Sequence, residues 1–504
     1  MKSTMTRALS VTPIASLALA GILALAAVAV SRGLVADDTL RLWAGAGTAA
    51  DGQVPLGRIV AAYPTLPFLT ATLVAWLAPA GTPAPALIAA GLLAIIAGGC
   101  FLSLREIGLG STAAAIVTVL IAFHPALLRA AIAGPADMFL AAFLLMLCLA
   151  LYDLRARSGT SEVMGVGLAL MALTFAHPIG AAFAFAAVPF LAFAVRPLLV
   201  ASSPFNVVIA LMFPTAFAIG AFTYVSWVFP GAGWTFFAAP TQSLSLWTVA
   251  VTQHFGDGFS RFLTLNGSLA TGAALAVGAP VAVVMLALVH RRQPLVVPAL
   301  VFIAIAIGAT AISLLSGFFG DPAAILVAAP VLAATVVIRV PIARQRVVLT
   351  VALLLVGWFG GGLSLALVDP MTINRLRAAS EPGVSERADA LAAGGAAIAH
   401  DGVLVDVDNA PAFELGRGRA NGIFGPHSEP FTLAILFDRV DAPFVAVPDP
   451  QSITGANDRL DRAFPNLFRE GTAGYRVIYQ NHTWRLFARE KPPTNDGTAA
   501  NQRE

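Results

Sequence analysis

The chain is 504 residues long, 58% hydrophobic and only 11% charged, with a formal net charge of +3, where soluble domains run at about 45–50% and about 25%. That much apolar surface excludes a water-soluble globular fold, and the scarce, scattered basic residues offer no surface for nucleic acid. Both cysteines, Cys100 and Cys148, lie inside apolar runs and read as small packed hydrophobes, not as a disulfide or a metal site.

In chain order, apolar runs occupy 9–30, 61–79, 83–104, 112–130, 136–153, 160–177, 178–196, 204–228, 266–289, 294–316, 322–339 and 347–368. Crossing a hydrocarbon core of about 30 Å takes about 20 helical residues, so most of these runs are long enough. The first follows Lys2 and Arg7 and ends in AAVAVS, small residues that would suit a cleaved signal peptide, but its length and the spans that follow favour a retained helix.

Lys2 and Arg7, Arg105, Arg155 and Arg157, Arg196, Arg291 and Arg292, and Arg339, Arg344 and Arg346 fall at alternate gaps, which the positive-inside rule assigns to the cytoplasm. Three runs lie between Arg7 and Arg105, where the alternation allows an even number of crossings. The run 61–79, short and carrying Pro64 and Pro67 near its start, is therefore read as a surface or re-entrant helix. About eleven spans remain, with the N-terminus cytoplasmic and the polar tail outside.

From Asp369 the composition turns polar. A linker to about Pro382, a helix near 384–394, the strand GVLVDVD, the strand APFVAVP, a helical DRLDRAFPNLF and the strand pair in YRVIYQNHTWRLFARE predict a small α/β domain over 369–491, with a disordered tail at 492–504. Asp406 and Asp408 alternate along one strand; strand-end residues facing solvent or capping a turn are favoured over a metal or catalytic pair. No function is ascribed to the sequon Asn481-His482-Thr483.

No Walker motif, dinucleotide fingerprint or HExxH occurs, which disfavours a nucleotide-driven pump or a zinc protease. No internal repeat and no paired broken helices are read, and both would have pointed to an inverted-repeat transporter.

Aspartates gather at the outer face. Asp37 and Asp38 directly follow the first span; adjacent carboxylates repel, and partial burial would raise one pKa toward that of a general base. The solvated loop start is the plain alternative.

VADDTLRLW after the first span, then AAYPTLPFL, then LREIGLGSTAA, then FHPALLRAAIAGPADMFLAAFLLMLCLALYDLRAR together resemble membrane glycosyltransferases of the GT-C superfamily, in the branch of protein O-mannosyltransferases and aminoarabinose transferases. The likeness covers roughly residues 5 to 200. The sequence departs from the family where Leu40 and Arg41 precede Trp43, where YPTLP stands for the usual YPPL, and where a frequent lysine is missing.

The resemblance implies an α-helical polytopic membrane protein with a GT-C-like domain over 1–368, comprising a first outer loop at 31–82 and a long outer loop at 229–265, followed by the extracytoplasmic α/β domain. It implies transfer of a sugar from a polyprenyl-phosphate carrier to a lipid, glycan or protein acceptor at the outer face of the inner (plasma) membrane. Asp37, seconded by Asp38, would deprotonate the acceptor, and attack would invert the anomeric carbon. Arg58, His177 and Arg129 are the candidates for the lipid phosphate, whose growing charge needs cations in place. Asp137, at the start of a span where an acid caps the helix, is support. His254, Asp257 and Arg261 lie in the long loop with Trp234, Phe236, Phe237 and Trp247, read as an interfacial belt or a wall over the groove. No metal ligands are assigned, and a divalent cation stays open as a cofactor. A transporter or flippase, which would need ionisable residues inside the spans, and a non-catalytic envelope scaffold are the alternatives. Membrane lipids are partners in every reading.

Overall fold

The computed structural model describes residues 35–52, 59, 62–79, 82–157, 159–197, 204–229, 251–252, 255–289, 293–316, 322–369, 372–373, 386–426, 428–452 and 454–490. The first apolar run, Arg58, Arg291, Arg292, His254 and the loop aromatics Trp234, Phe236, Phe237 and Trp247 lie outside the described residues. The chain divides into two compact units, one of Met1–Thr39, Pro55–Ala71 and Pro83–Ser380, the other of Leu40–Val54, Thr72–Thr82 and Glu381–Glu504.

In the first unit the apolar runs from 83 onward all become helices. Five are long and apolar enough to cross a membrane, or up to seven if each of two bent pairs counts as one span, among the described residues. Shorter apolar helices include Thr160–Ala176, Pro178–Ala187 and Ala323–Arg339. Thr65–Leu77 has 13 residues, about 20 Å of helix, too short for the hydrocarbon core. The run at 178–196 is not one helix: it breaks after Ala187 and resumes only as Leu191–Ala194.

A continuous core of Ala, Leu and Val joins these helices; small side chains let helices approach where lipid removes the usual hydrophobic drive. Large apolar residues such as Ile95, Phe213, Phe217, Leu315 and Phe359 stand exposed on the outside, as lipid-facing surface does.

Contrary to the sequence reading, two spans are broken. Ser111–Ala122 meets Pro125–Ala133 at 57°, and Asn266–Gly278 meets Pro280–Leu288 at 79°; in each pair a proline opens the second half, removing a donor and clashing with the preceding turn. His124 fills the first break. Its Nδ1 accepts the Ala126 N–H at 3.2 Å, so the ring proton is on Nε2, which lies 3.2 Å from both the Gly278 and the Gly357 carbonyl oxygens. Polar groups freed at the kinks are thus closed within protein. The approach needs glycine: a Cβ on Gly361 would come within 2.4 Å of the His124 ring, and one on Gly360 within 2.2 Å of the Val277 carbonyl oxygen.

Ion pairs sort the helix ends. Pro135–Arg157 has 23 residues, about 35 Å. At its C-terminal end Arg339 donates to Asp153 at 2.8 Å and Arg155 donates to the Val195 carbonyl; its N-terminal end carries Asp137. Arg155 and Arg339 are thus both engaged near the C-terminal end of this helix.

The second unit holds a five-stranded sheet in the order β2-β1-β3-β5-β4, with β1 Val403–Leu404, β2 Ile423–Phe424, β3 Phe444–Pro448, β4 Tyr475–Gln480 and β5 Trp484–Arg489. β1 runs parallel to β2 and β3, whereas β5 is antiparallel to both β3 and β4. Alternation splits each strand between two cores: Ala446 and Leu486 join Val403, Phe413, Trp484 and the helix Glu386–Ala396 on one face, while Val445, Val447 and Phe487 join Phe431, Leu460 and Leu467 on the other.

Asp406 corrects its sequence reading. The strand stops at Leu404, and Asp406 is fully buried, taking Arg459 Nε at 3.0 Å and Nη2 at 3.1 Å while Arg459 also reaches Asp408. It is a buried staple between segments, not a solvent-facing strand end. Asn481 of the sequon is part of the β4–β5 turn, its Oδ1 accepting the N–H groups of Thr483 and Trp484.

Candidate active site

Within the first unit, polar side chains from distant segments converge at the N-terminal end of Pro135–Arg157. Gly134 makes the turn into that helix at φ 141°, a backbone region L side chains avoid. It also leaves room for Thr39: a Cβ on Gly134 would fall 2.1 Å from the Thr39 hydroxyl, which donates to the Ala133 carbonyl oxygen. The acid-pair segment and the GPAD segment are thereby neighbours. Asp37 and Asp38 open the helix Asp37–Ala50; Asp38 is exposed, and the Asp37 side chain lies outside the described residues.

Asp137 is buried in the first turn of its helix. Arg129 donates to it through Nη1, and through Nε, at 2.9 Å, to Asp369 Oδ2. His177 Nε2 stands 2.9 Å from Asp137 Oδ1. The ring also caps Pro178–Ala187, because Nδ1 accepts the Ile179 N–H at 3.0 Å; Nε2 therefore carries the proton and is the donor to Asp137.

Asp369, the residue after Val347–Val368, is buried to 1% exposure. Thr372 donates to it twice, from Oγ1 at 2.6 Å and from its backbone N–H at 3.0 Å. Burial alone would push this carboxyl up, but the Arg129 guanidinium and the Thr372 bonds outweigh it and hold the group below the ordinary carboxylate range.

Tyr63 of the YPTLP segment donates to the Thr174 carbonyl oxygen at 3.0 Å, three residues before His177. Its ring packs 6.3 Å from Phe222, which in turn lies 5.7 Å from Phe175.

Of the residues expected to bind phosphate, Arg129 and His177 are brought together, each engaged by carboxylate. Arg58 lies outside the described residues. Asp137 joins them as a buried partner. Asp257 and Arg261 are exposed on the first turns of Asp257–Gly278, and no ion pair ties them to the cluster among the described residues. His254 lies outside the described set. Among the described residues no group of three or more His, Cys, Asp or Glu is arranged to hold a metal ion.

Asp369 and Thr39 escaped the sequence reading. By sequence Asp369 reads as the start of a linker; the usable signal is that it and Arg129 both sit at ends of apolar runs, where opposite charges at one depth pair readily.

No protein-family model matches the chain, and no curated protein matches it. Among solved structures, the crystal structure of the Archaeoglobus fulgidus oligosaccharyltransferase in complex with Zn and sulfate is similar at 14% identity and a TM-score of 0.32, covering 93% of this chain and 73% of that one. Backbones that agree this loosely do not demonstrate a shared fold.

Proposed function

We propose that the protein is a membrane glycosyltransferase that moves a sugar from a polyprenyl-phosphate carrier to a hydroxyl-bearing acceptor, lipid, glycan or protein, at the outer face of the inner membrane. One observation carries the reading: the Thr39 hydroxyl on the Ala133 carbonyl sets the acid-pair helix beside the buried Arg129, Asp137, His177 and Asp369 cluster. Buried ionisable groups at the end of an apolar bundle are expensive, and such a group supports a reading of chemistry or binding.

In this reading Asp37 takes the acceptor proton as the oxygen attacks the anomeric carbon. The bond to the lipid phosphate breaks on the opposite face, and the configuration inverts. Asp38 stands in reserve as a second carboxylate. Arg58 neutralises the leaving phosphate, while Arg129 and His177 contribute from the wall of the site, with Asp137 and Asp369 setting their orientation. The bundle would have about eleven spans, a cytoplasmic N-terminus and an extracytoplasmic α/β domain.

The deciding experiment is transfer from a radiolabelled polyprenyl-phosphate sugar in proteoliposomes by wild type and Asp37→Asn. A folded variant should lose about 10²–10⁴-fold in rate, the usual worth of a general base; undiminished transfer would remove Asp37 from the mechanism.

A flippase is the second reading, favoured by the two broken spans, since discontinuous helices often line transport sites. The His124 bonds that close the break at Gly278 weigh against it. Lipid scrambling in vesicles without any transfer would reverse the order.

A further inference from the structure

We propose that the α/β domain binds a Ca²⁺ ion between the carboxylates of Asp458 and Asp461. The site lies wholly within the second unit and does not depend on the transferase reading. The segment from Asp449 to Asp461, which leaves the end of β3 and enters the short helix Arg459–Ala463, carries three aspartates. Asp458 is fully buried and Asp461 is 6% exposed. Asp458 Oδ1 accepts the N–H groups of Leu460 at 2.8 Å and Asp461 at 3.0 Å. Its Oδ2, and both carboxylate oxygens of Asp461, are buried without a hydrogen-bond partner among the described residues.

Local geometry strands these oxygens together. Asp458 caps the helix and Asp461 is its third residue, positions whose side chains face one another across the first turn. A side chain at the third position ordinarily accepts the N–H of the capping residue, but the Asp458 N–H is spent on the Gly455 carbonyl oxygen at 3.0 Å. Arg459 is bonded to Asp406 and Asp408, and Arg462 Nη2 reaches the Ala456 carbonyl oxygen at 3.5 Å. Burial and the repulsion of neighbouring acids push the Asp458 and Asp461 carboxyls up to about 7 and about 8. A proton is a poor occupant, because a protonated Asp461 presents an O–H with no acceptor in reach. Buried polar groups without partners cost free energy and call for an ion or a water to complete them. A divalent cation satisfies all three oxygens at once and cancels both charges.

Oxygen donors select a hard cation, and Ca²⁺ accepts the irregular, mixed coordination that Mg²⁺ does not. Asp461 would bind through both oxygens and Asp458 through Oδ2. No third His, Cys, Asp or Glu joins them in a metal-binding arrangement among the described residues. Backbone carbonyls and water therefore fill the remaining positions, and the affinity falls in the weak range of extracellular modules, about 10⁻⁴–10⁻³ M. Asp449, near enough to raise the Asp461 carboxyl, adds attraction for the cation without serving as a ligand.

The test uses the full chain in lipid nanodiscs, stripped with EGTA and titrated with CaCl₂. Amide hydrogen exchange over residues 449–463 should slow about tenfold when Ca²⁺ reaches ten times its Kd, while NaCl at matched ionic strength has no effect. Asp461→Asn keeps the shape and removes a charge. It should lose both this protection and one equivalent of bound radioactive Ca²⁺ per chain, and at pH 8 in EGTA it should exchange more slowly than wild type, its buried repulsion gone. Asp458→Asn retains a capping oxygen and should weaken binding about tenfold or more. Wild-type exchange that ignores Ca²⁺, equal protection by NaCl, or a full equivalent of Ca²⁺ retained by Asp461→Asn overturns the inference. The wild-type titration needs no variant, so it decides the question even where a variant fails to fold.

Discussion

His177 donates through Nε2 to Asp137 across 2.9 Å while its other ring nitrogen caps the helix that follows. One side chain thus performs two separable tasks. His177→Ala should lose both, costing about 1–3 kcal/mol for the buried carboxylate oxygen left without its His177 donor, Asp137 keeping Arg129, plus about 1 kcal/mol for the cap. His177→Asn, a good capping residue, should recover the cap but not the Asp137 contact. Thermal denaturation in detergent, paired with the transfer assay, separates them: partial recovery of Tm without recovery of rate is expected.

The Arg129 and Asp369 pair is a second target. Removing one member of a buried, hydrogen-bonded pair costs about 3–5 kcal/mol, so Asp369→Ala should destabilise the chain strongly. A double-mutant cycle with Arg129→Met should give a coupling well above 1 kcal/mol, and additive losses would mean the two side chains act independently. Because the Asp369 carboxyl is held below its ordinary value, its contribution is complete above about pH 4, the unfolded value, and is lost only as pH falls further, through the folded value.

Asp458 and Asp461 should make the α/β domain pH-sensitive in the opposite sense. Burial, with repulsion from Asp406 added at Asp458 and from Asp458 and Asp449 at Asp461, pushes their carboxyls up to about 7 and about 8; Asp458 Oδ2 and both Asp461 oxygens have no hydrogen-bond partner among the described residues. Unfolded, both would release their protons near pH 4. The folded domain therefore binds more protons between pH 4 and about 8, and its stability falls as pH rises through that window. Limited proteolysis of residues 386–490 should be slower at pH 5 than at pH 9, and Asp461→Asn should flatten that difference.

Gly361→Ala tests the packing of the broken spans. A methyl group there meets the His124 ring at 2.4 Å, and overpacking of this kind costs about 1–3 kcal/mol. A lower Tm and poorer extraction as a monodisperse protein are expected; wild-type behaviour would show that the His124 ring can move aside.

The helices from 83 onward, the short helix at Thr65–Leu77 and the small sheet were legible because hydropathy and alternation are local sums, read one window at a time with lipid or a core as the solvent. The breaks at His124 and Ala279 were less visible: Pro125 and Pro280 hint at them, but it is the His124 ring, reaching the Gly278 carbonyl of the second broken span and the Gly357 carbonyl of a third helix, that ties the kinks together. Arg129 and His177 could be proposed as charged ends of apolar runs, yet their partners could not, since Asp369 lies 240 residues from Arg129 and no periodicity links them. Likewise Asp406 looks like a strand end until Arg459 closes over it, and Thr48 looks like any helical threonine until Glu414 meets it. Sequence alone determined which segments leave water; the tertiary structure decided which charges meet, because a buried ion is stable only where chain folding delivers its counterpart.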